Sequence, residues 1–310
     1  MRSRENQLTF FWLLGLMMGC SGEPDCNVDL DTPESLAALV AANTPEALII
    51  ASGLAEFQQV ENPDTSRLEA DFYRDKALKL APNDEWVLSY LNNECSPSNP
   101  EEDSPFCNQI SAMRLVDLSP ENGFRWANLA HYQLSDDDAE AALASYQRAA
   151  AAPTFSIGWG PHVFRLTTAL QETFQTEEFC AVVTSAGMAA AKLPSYQEFT
   201  NTCRARTEDA AWRDACINLG QKMETQATTL ISRMIGFSLQ RIVYEAIEDD
   251  DGVAAVAARK EDLQAMVQQQ SSVYECLREH ADWVHRWLIS VRDFGEMESL
   301  RRLSEGRSHC

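Results

Sequence analysis

Cys276, His280 and His285 invite reading as a metal cluster. On a helix Cys276 and His280 share a face, but His285 lies nine residues from Cys276, on the opposite side of the axis. One helix therefore offers two ligands at most. A disulfide cysteine beside partly buried histidines, with Trp283 and Trp287 packing nearby, is the expectation. The acidic run Asp249-Asp250-Asp251-Gly252 invites a calcium loop. Setting Gly252 at the glycine such a loop requires puts Ile247 and Ala258 where its first and last carboxylates belong, so the run reads as a solvated turn. No metal site and no cofactor are expected. Nucleophilic catalysis has no anchor: there is no G-x-S-x-G, no H-E-x-x-H and no usable S-x-x-K. Carboxylates are too numerous for any pair to be singled out for glycoside hydrolysis. The absence of C-x-x-C removes thioredoxin-like redox chemistry and c-type haem attachment, and the spacings lack the paired knuckles of structural zinc. No catalytic residue is assigned.

The elements that must position any site read as helices almost throughout. Ala, Leu, Glu and Gln are abundant, strand-like alternation is nearly absent, and breaks fall at Pro, Gly and Asn. Beyond Gly158 the expected helices are 161–174, 177–192, 195–204, a long one over about 208–248, then 254–270 and 272–292. In the long one Leu230, Met234 and Phe237, with Ile231, Ile235, Leu239 and Ile242, cover more than one face, as in a helix buried in a bundle. Arg233, Gln240 and Arg241 interrupt that run, so it is not a membrane span.

Upstream the chain repeats itself. Ala77-Leu78-Lys79-Leu80-Ala81-Pro82-Asn83-Asp84-Glu85-Trp86 recurs as Met113-Arg114-Leu115-Val116-Asp117-Leu118-Ser119-Pro120-Glu121-Asn122, with Trp126 just beyond. The two prolines are 38 residues apart and the two tryptophans 40. A helix ends, Pro and Asn turn the chain, and a Trp on the next helix wedges between neighbours; stacked pairs then share a core that one pair cannot bury. The clearest unit resembles a tetratricopeptide repeat: Trp126, Leu129 and Ala130 on a first helix, then Ala142, Tyr146 and Ala149 as the small–aromatic–small ladder of a second. Pro153 comes one residue early, and Gln133 stands where that family has Tyr. Ser135-Asp136-Asp137-Asp138 reads as the second helix's N-terminus, and residues 45–83 as a degenerate earlier repeat. The resemblance implies a concave groove lined by first helices, to which Phe124, Asn128 and His131 would contribute with Leu88 and Leu91 from the preceding repeat. Between repeats, Asn92 to Cys107 is rich in prolines and acids with a cysteine near each end, so Cys95–Cys107 is expected to staple a loop.

Cys20 closes an apolar run of 12 residues, Leu8 to Gly19, preceded by Arg2 and Arg4. The run is short of the roughly 20 residues a spanning helix needs and matches a signal-peptide core. Met17-Met18-Gly19-Cys20 resembles the lipobox of bacterial lipoproteins, departing from it at Met18, where that family prefers Ala or Ser. The resemblance implies diacylation of Cys20 and cleavage before it, and Ser21, rather than Asp, implies delivery to the periplasmic face of the outer membrane. Losing Arg2, Arg4 and Glu5 with the leader takes the formal charge from −22 to −23. So acidic a surface repels phosphate backbones, which excludes nucleic acid as a partner. Of nine cysteines, eight remain besides Cys20, an even set that reads as disulfide-bonded in an oxidising compartment with connectivity open. Cys276–Cys310 is a second candidate pair.

The expectation is therefore an all-α protein: signal peptide 1–19, acylated tether 20–35, tetratricopeptide-like helical repeats of α-solenoid type 36–156, and a C-terminal helical bundle 157–310. Its expected role is that of a membrane-anchored interaction or assembly scaffold with a protein or peptide partner in the envelope. The alternative is an envelope hydrolase whose site only folding assembles.

Overall fold

A computed structural model describes residues 26, 30, 32–57, 63–93, 95, 106–270, 273, 276–277 and 280–305. The leader, Cys20 and Cys310 lie outside them. The described chain is all-α, with fourteen α-helices; its only β pairing is two isolated bridges, Asn122 with Thr154 and Phe155 with Ala227. In order, the helices are α1 (Pro33–Ala42), α2 (Pro45–Phe57), α3 (Pro63–Leu80), α4 (Glu85–Asn92), α5 (Ala112–Leu118), α6 (Gly123–Ser135) and α7 (Ala139–Ala151). They continue as α8 (Trp159–Phe174), α9 (Glu178–Ala191), α10 (Gln197–Ala205), α11 (Ala210–Gln226), α12 (Leu230–Ala246), α13 (Asp250–Gln270) and α14 (Ala281–Glu305). Among the described residues no helix is long and apolar enough to cross a membrane.

Local chemistry sets the helix ends. Thr32, Asp84, Asn122, Asp138, Asp209 and Thr229 each accept a backbone N–H of the first turn they precede, satisfying donors that the helix leaves orphaned. Pro33, Pro45 and Pro63 open α1, α2 and α3, where a missing N–H costs nothing. Asp249 Oδ1 accepts the N–H of Gly252 at 2.9 Å, so the acidic run opens α13. The helix expected over 208–248 is two helices. Ala227 is extended, the Thr228 N–H donates to Phe155 O (3.2 Å), the Met297 N–H donates to Thr228 O (3.2 Å), and Thr229 caps α12. Gly295, at φ 76°, bends α14 where Thr228 presses on it; a Cβ there would lie 2.5 Å from Thr228 Cβ.

Consecutive helices pair as hairpins: α2 with α3, α6 with α7, α8 with α9 and α11 with α12. The cores do not divide at residue 156. The first gathers Leu48, Ile50, Tyr73, Leu88 and Leu91 with Leu166 and Leu170 of α8, Val182 of α9 and Trp287, Leu288 and Val291 of α14. The second joins Phe124, Ala130, Tyr146 and Phe155 to Phe199, Trp212, Leu219 and Leu239. Each core draws on both sides of the anticipated domain boundary.

Three disulfides between described residues brace this arrangement. Cys95–Cys107 closes the loop after α4, with a Cα–Cα distance of 5.4 Å, as expected. Cys203–Cys216 ties α10 to α11, and Cys26–Cys180 fastens the segment before α1 to the first turn of α9 across 154 residues. Cys276 is also disulfide-bonded.

Candidate interaction surface

The small and aromatic residues expected to pack α6 on α7 are buried. Ala130 of α6 and Ala142, Tyr146 and Ala149 of α7 are fully buried, so small residues let the two helices close on each other while Tyr146 fills the core. Trp126 is half-buried. Its Nε1 donates to Pro120 O (2.8 Å), Arg148 lies 4.8 Å over its ring, and the indole touches both the second core and a satellite cluster of Ala112, Val116 and Leu129.

The groove does not form where it was expected. Leu88 and Leu91 are fully buried in the first core. Phe124 is buried against Phe155 (6.0 Å between ring centroids) and stacks at 6.4 Å on Phe199. His131 is buried 4.5 Å from the Phe199 ring, its Nδ1 3.9 Å from Glu198 Oε2. Helix α10, which carries Glu198 and Phe199, therefore lies over the face of α6 that was to be concave. Asn128 is half-buried, and its Nδ2 has no hydrogen-bond partner among the described residues. The buried Phe199 was the unforeseen element: its own sequence context shows nothing of the α6 face it covers.

Burial, opposed by the Glu198 carboxylate, holds His131 down at about 4. Burial and the nearby Arg125 and Arg165 cations hold His162 down at about 3, and it lies edge-on to Trp86 (5.8 Å) and Tyr90 (5.3 Å). Arg125 is buried and pairs with Glu85 at 3.3 Å. Arg165 of α8 is a three-way tie: it meets both carboxylate oxygens of Asp84 at 2.9 Å, bonds Glu46 of α2 through Nε at 2.8 Å, and lies 4.4 Å over the Trp86 ring. His285 Nδ1 pairs with Glu178 at 2.9 Å on the surface between α14 and α9. His131 Nε2 and both ring nitrogens of His162 are buried with no hydrogen-bond partner among the described residues. A hydroxyl chain at the start of α12 links Tyr196, Ser232 and Thr229 (2.6 and 2.7 Å), and the neighbouring Glu296 accepts the Leu230 N–H at 2.9 Å. Burial raises the Glu296 carboxyl; the Leu230 N–H and Arg233 oppose it.

Pro33, Leu36, Ala37, Val40 and Ala41 of α1 and Tyr73 of α3 line a groove of about 420 Å³. On the same helix as Tyr73, Leu68 is 73% exposed and Phe72 60%. Tyr73 meets Phe72 at 5.6 Å and donates its hydroxyl to Glu69 at 2.8 Å; burial and that carboxylate push the phenol up to about 12. Leu68 and Phe72 stand four residues apart, a sequence signal that went unread because Ala70, Tyr73 and Ala77 on the same helix satisfy the core. Comparison of the chain with known protein families, curated proteins and solved structures gave no match.

Proposed function

We propose that this protein is an envelope lipoprotein, held by acylated Cys20 at the periplasmic face of the outer membrane, whose tetratricopeptide-type hairpins serve as a scaffold for a protein partner. The observation that carries the binding role is the groove between α1 and α3, with Leu68 and Phe72 standing exposed on the helix that supplies its Tyr73. A groove lined by Leu36, Val40 and Tyr73, and two large apolar side chains one turn apart on the same helix, suit the apolar face of an amphipathic helix. The chain's formal charge of −22 favours basic residues flanking that helix on the partner. The anchoring role is supported by the lipobox-like residues before Cys20 and by disulfides of the kind an oxidising compartment allows.

A photo-crosslinking residue placed at Phe72 in intact envelopes is expected to trap one discrete partner, while the same residue at Glu261 on α13 traps none. The Phe72 adduct should disappear in Leu68→Asp with the thermal melt unchanged. No adduct at Phe72, or equal adducts at both positions, overturns the groove as the contact surface. Metabolic labelling with an alkyne fatty acid tests the anchor: label in the wild type and none in Cys20→Ser is expected.

A further inference from the structure

We infer that the junction of α4, α6 and α8 is a buried site for one halide-sized anion. Its donors come from the first turns of the three helices: Trp86 is the second residue of α4, Arg125 the third of α6 and His162 the fourth of α8. All three side chains are more than nine-tenths buried. Trp86 Nε1, Arg125 Nε and Nη1 and both ring nitrogens of His162 have no hydrogen-bond partner among the described residues. The three share one neighbourhood. His162 lies edge-on to Trp86 at 5.8 Å between ring centroids, and after burial it is the Arg125 cation that holds its imidazole down at about 3.

The chemistry of these groups selects the ligand. Trp86 and Arg125 can only donate, and a neutral His162 brings one donor and one acceptor. Donors outnumber acceptors, so the ligand they share is one that accepts. Charge gives the same sign, because a buried guanidinium needs a counter-charge. Arg125 meets Glu85 through Nη2 alone, at 3.3 Å, longer than the ~2.7–2.9 Å of a charge-assisted bond, and Glu85 is 42% exposed to water. The other carboxylates nearby are engaged. Asp84 caps α4 and takes Arg165 through both oxygens at 2.9 Å, and Glu46 takes Arg165 as well. The first turns of the three helices add the positive ends of their dipoles, and α8 begins at Gly158 with no side-chain cap. A Cβ at Gly158 would lie 3.3 Å from His162 Cε1, so the walls are close and suit a single atom rather than a phosphate. An ion so enclosed is taken up as the chain folds around it and binds the folded chain alone.

The test compares urea unfolding of the full-length protein in sodium chloride and in sodium gluconate at equal ionic strength, gluconate being too large for the site. For one site on the folded chain, each tenfold rise in chloride above its Kd multiplies the folding constant by up to ~10. The gluconate series is expected to stay flat. Arg125→Met should abolish the chloride response, and His162→Phe, which keeps a ring and removes both nitrogens, should weaken it. Equal folding constants in the two salts overturn the site, as does an undiminished chloride response in Arg125→Met. Should that variant fail to fold, wild-type crystals grown in sodium bromide decide. An anomalous peak within hydrogen-bond distance of Arg125 and His162 is expected; bromide on the surface only, or water alone between these side chains, overturns the inference.

Discussion

Helices α11 and α12 approach each other at two glycines, and alanine at either should be costly. A Cβ on Gly220 would lie 2.7 Å from Gly236 O, and one on Gly236 would lie 2.6 Å from Gly220 O and 2.7 Å from Glu224 N. Each encounter is with backbone, so no side chain can swing aside and the helices must part. Over-packing of this kind costs ~1–3 kcal/mol, against which alanine returns ~0.5–1 kcal/mol of helix propensity. Parting the helices also strains Gln240, which donates to Glu224 at 2.8 Å and accepts from Arg259 at 2.9 Å across the crossing. The net expectation for Gly220→Ala or Gly236→Ala is a loss of ~1–2 kcal/mol, or ~2–4 °C in Tm for a chain of this length. One separation accommodates both methyls, so the double variant should lose clearly less than the sum. Gly187, also helical, is the control: a Cβ there meets nothing within 4 Å, and Gly187→Ala should stabilise by about 0.5–1 kcal/mol. Thermal and urea melts on the four variants decide the matter. A neutral or stabilising Gly236→Ala, or strict additivity in the double variant, refutes the close crossing.

Acid should weaken the fold through its buried histidines. His131 and His162 are held at about 4 and about 3, below the ~6.5 of an unfolded chain, so the unfolded state binds more protons between those values. Their contribution is complete above pH ~6.5 and drains as pH falls towards ~4; urea unfolding between those pH values should show it, with a flatter slope in His162→Leu. Trp126→Ala should cost about 2–3 kcal/mol by melt, less than a fully buried Trp because the ring is half in solvent. Asn128→Ala should stay within about 0.5 kcal/mol, since it deletes an amide nitrogen with no partner. Arg165→Met leaves Glu46 and Asp84 unneutralised and should cost about 1–2 kcal/mol, reduced by the partial exposure of the site and partly recovered in high salt.

The sequence made short-range order legible and long-range burial illegible. The α6–α7 hairpin could be read because Ala130, Ala142 and Tyr146 carry their packing in their sizes and spacing. The Cys95–Cys107 staple could be read because its loop is local. The division of the long helix at Ala227–Thr229 could not, because it depends on Phe155 O and the Met297 N–H, residues far off in the chain. The groove failed for the same reason. Phe124 and His131 have the spacing of a lining, and only the arrival of Phe199 makes them core. Leu68 and Phe72, the pair that stands exposed, were hidden by apolar neighbours that read as ordinary packing.

The sharing of the first core between α2–α4 and α14 bears on how the chain is born. Leu48, Ile50 and Leu88 find Trp287 and Val291 only after nearly the whole polypeptide is available. Such distant partners make the fold slow to nucleate, and the N-terminal half cannot complete its core before α14 has been synthesised. That sharing makes the tail a quality check: a chain truncated before α14 leaves the Leu48–Leu88 side uncovered, a substrate for proteases rather than a working half.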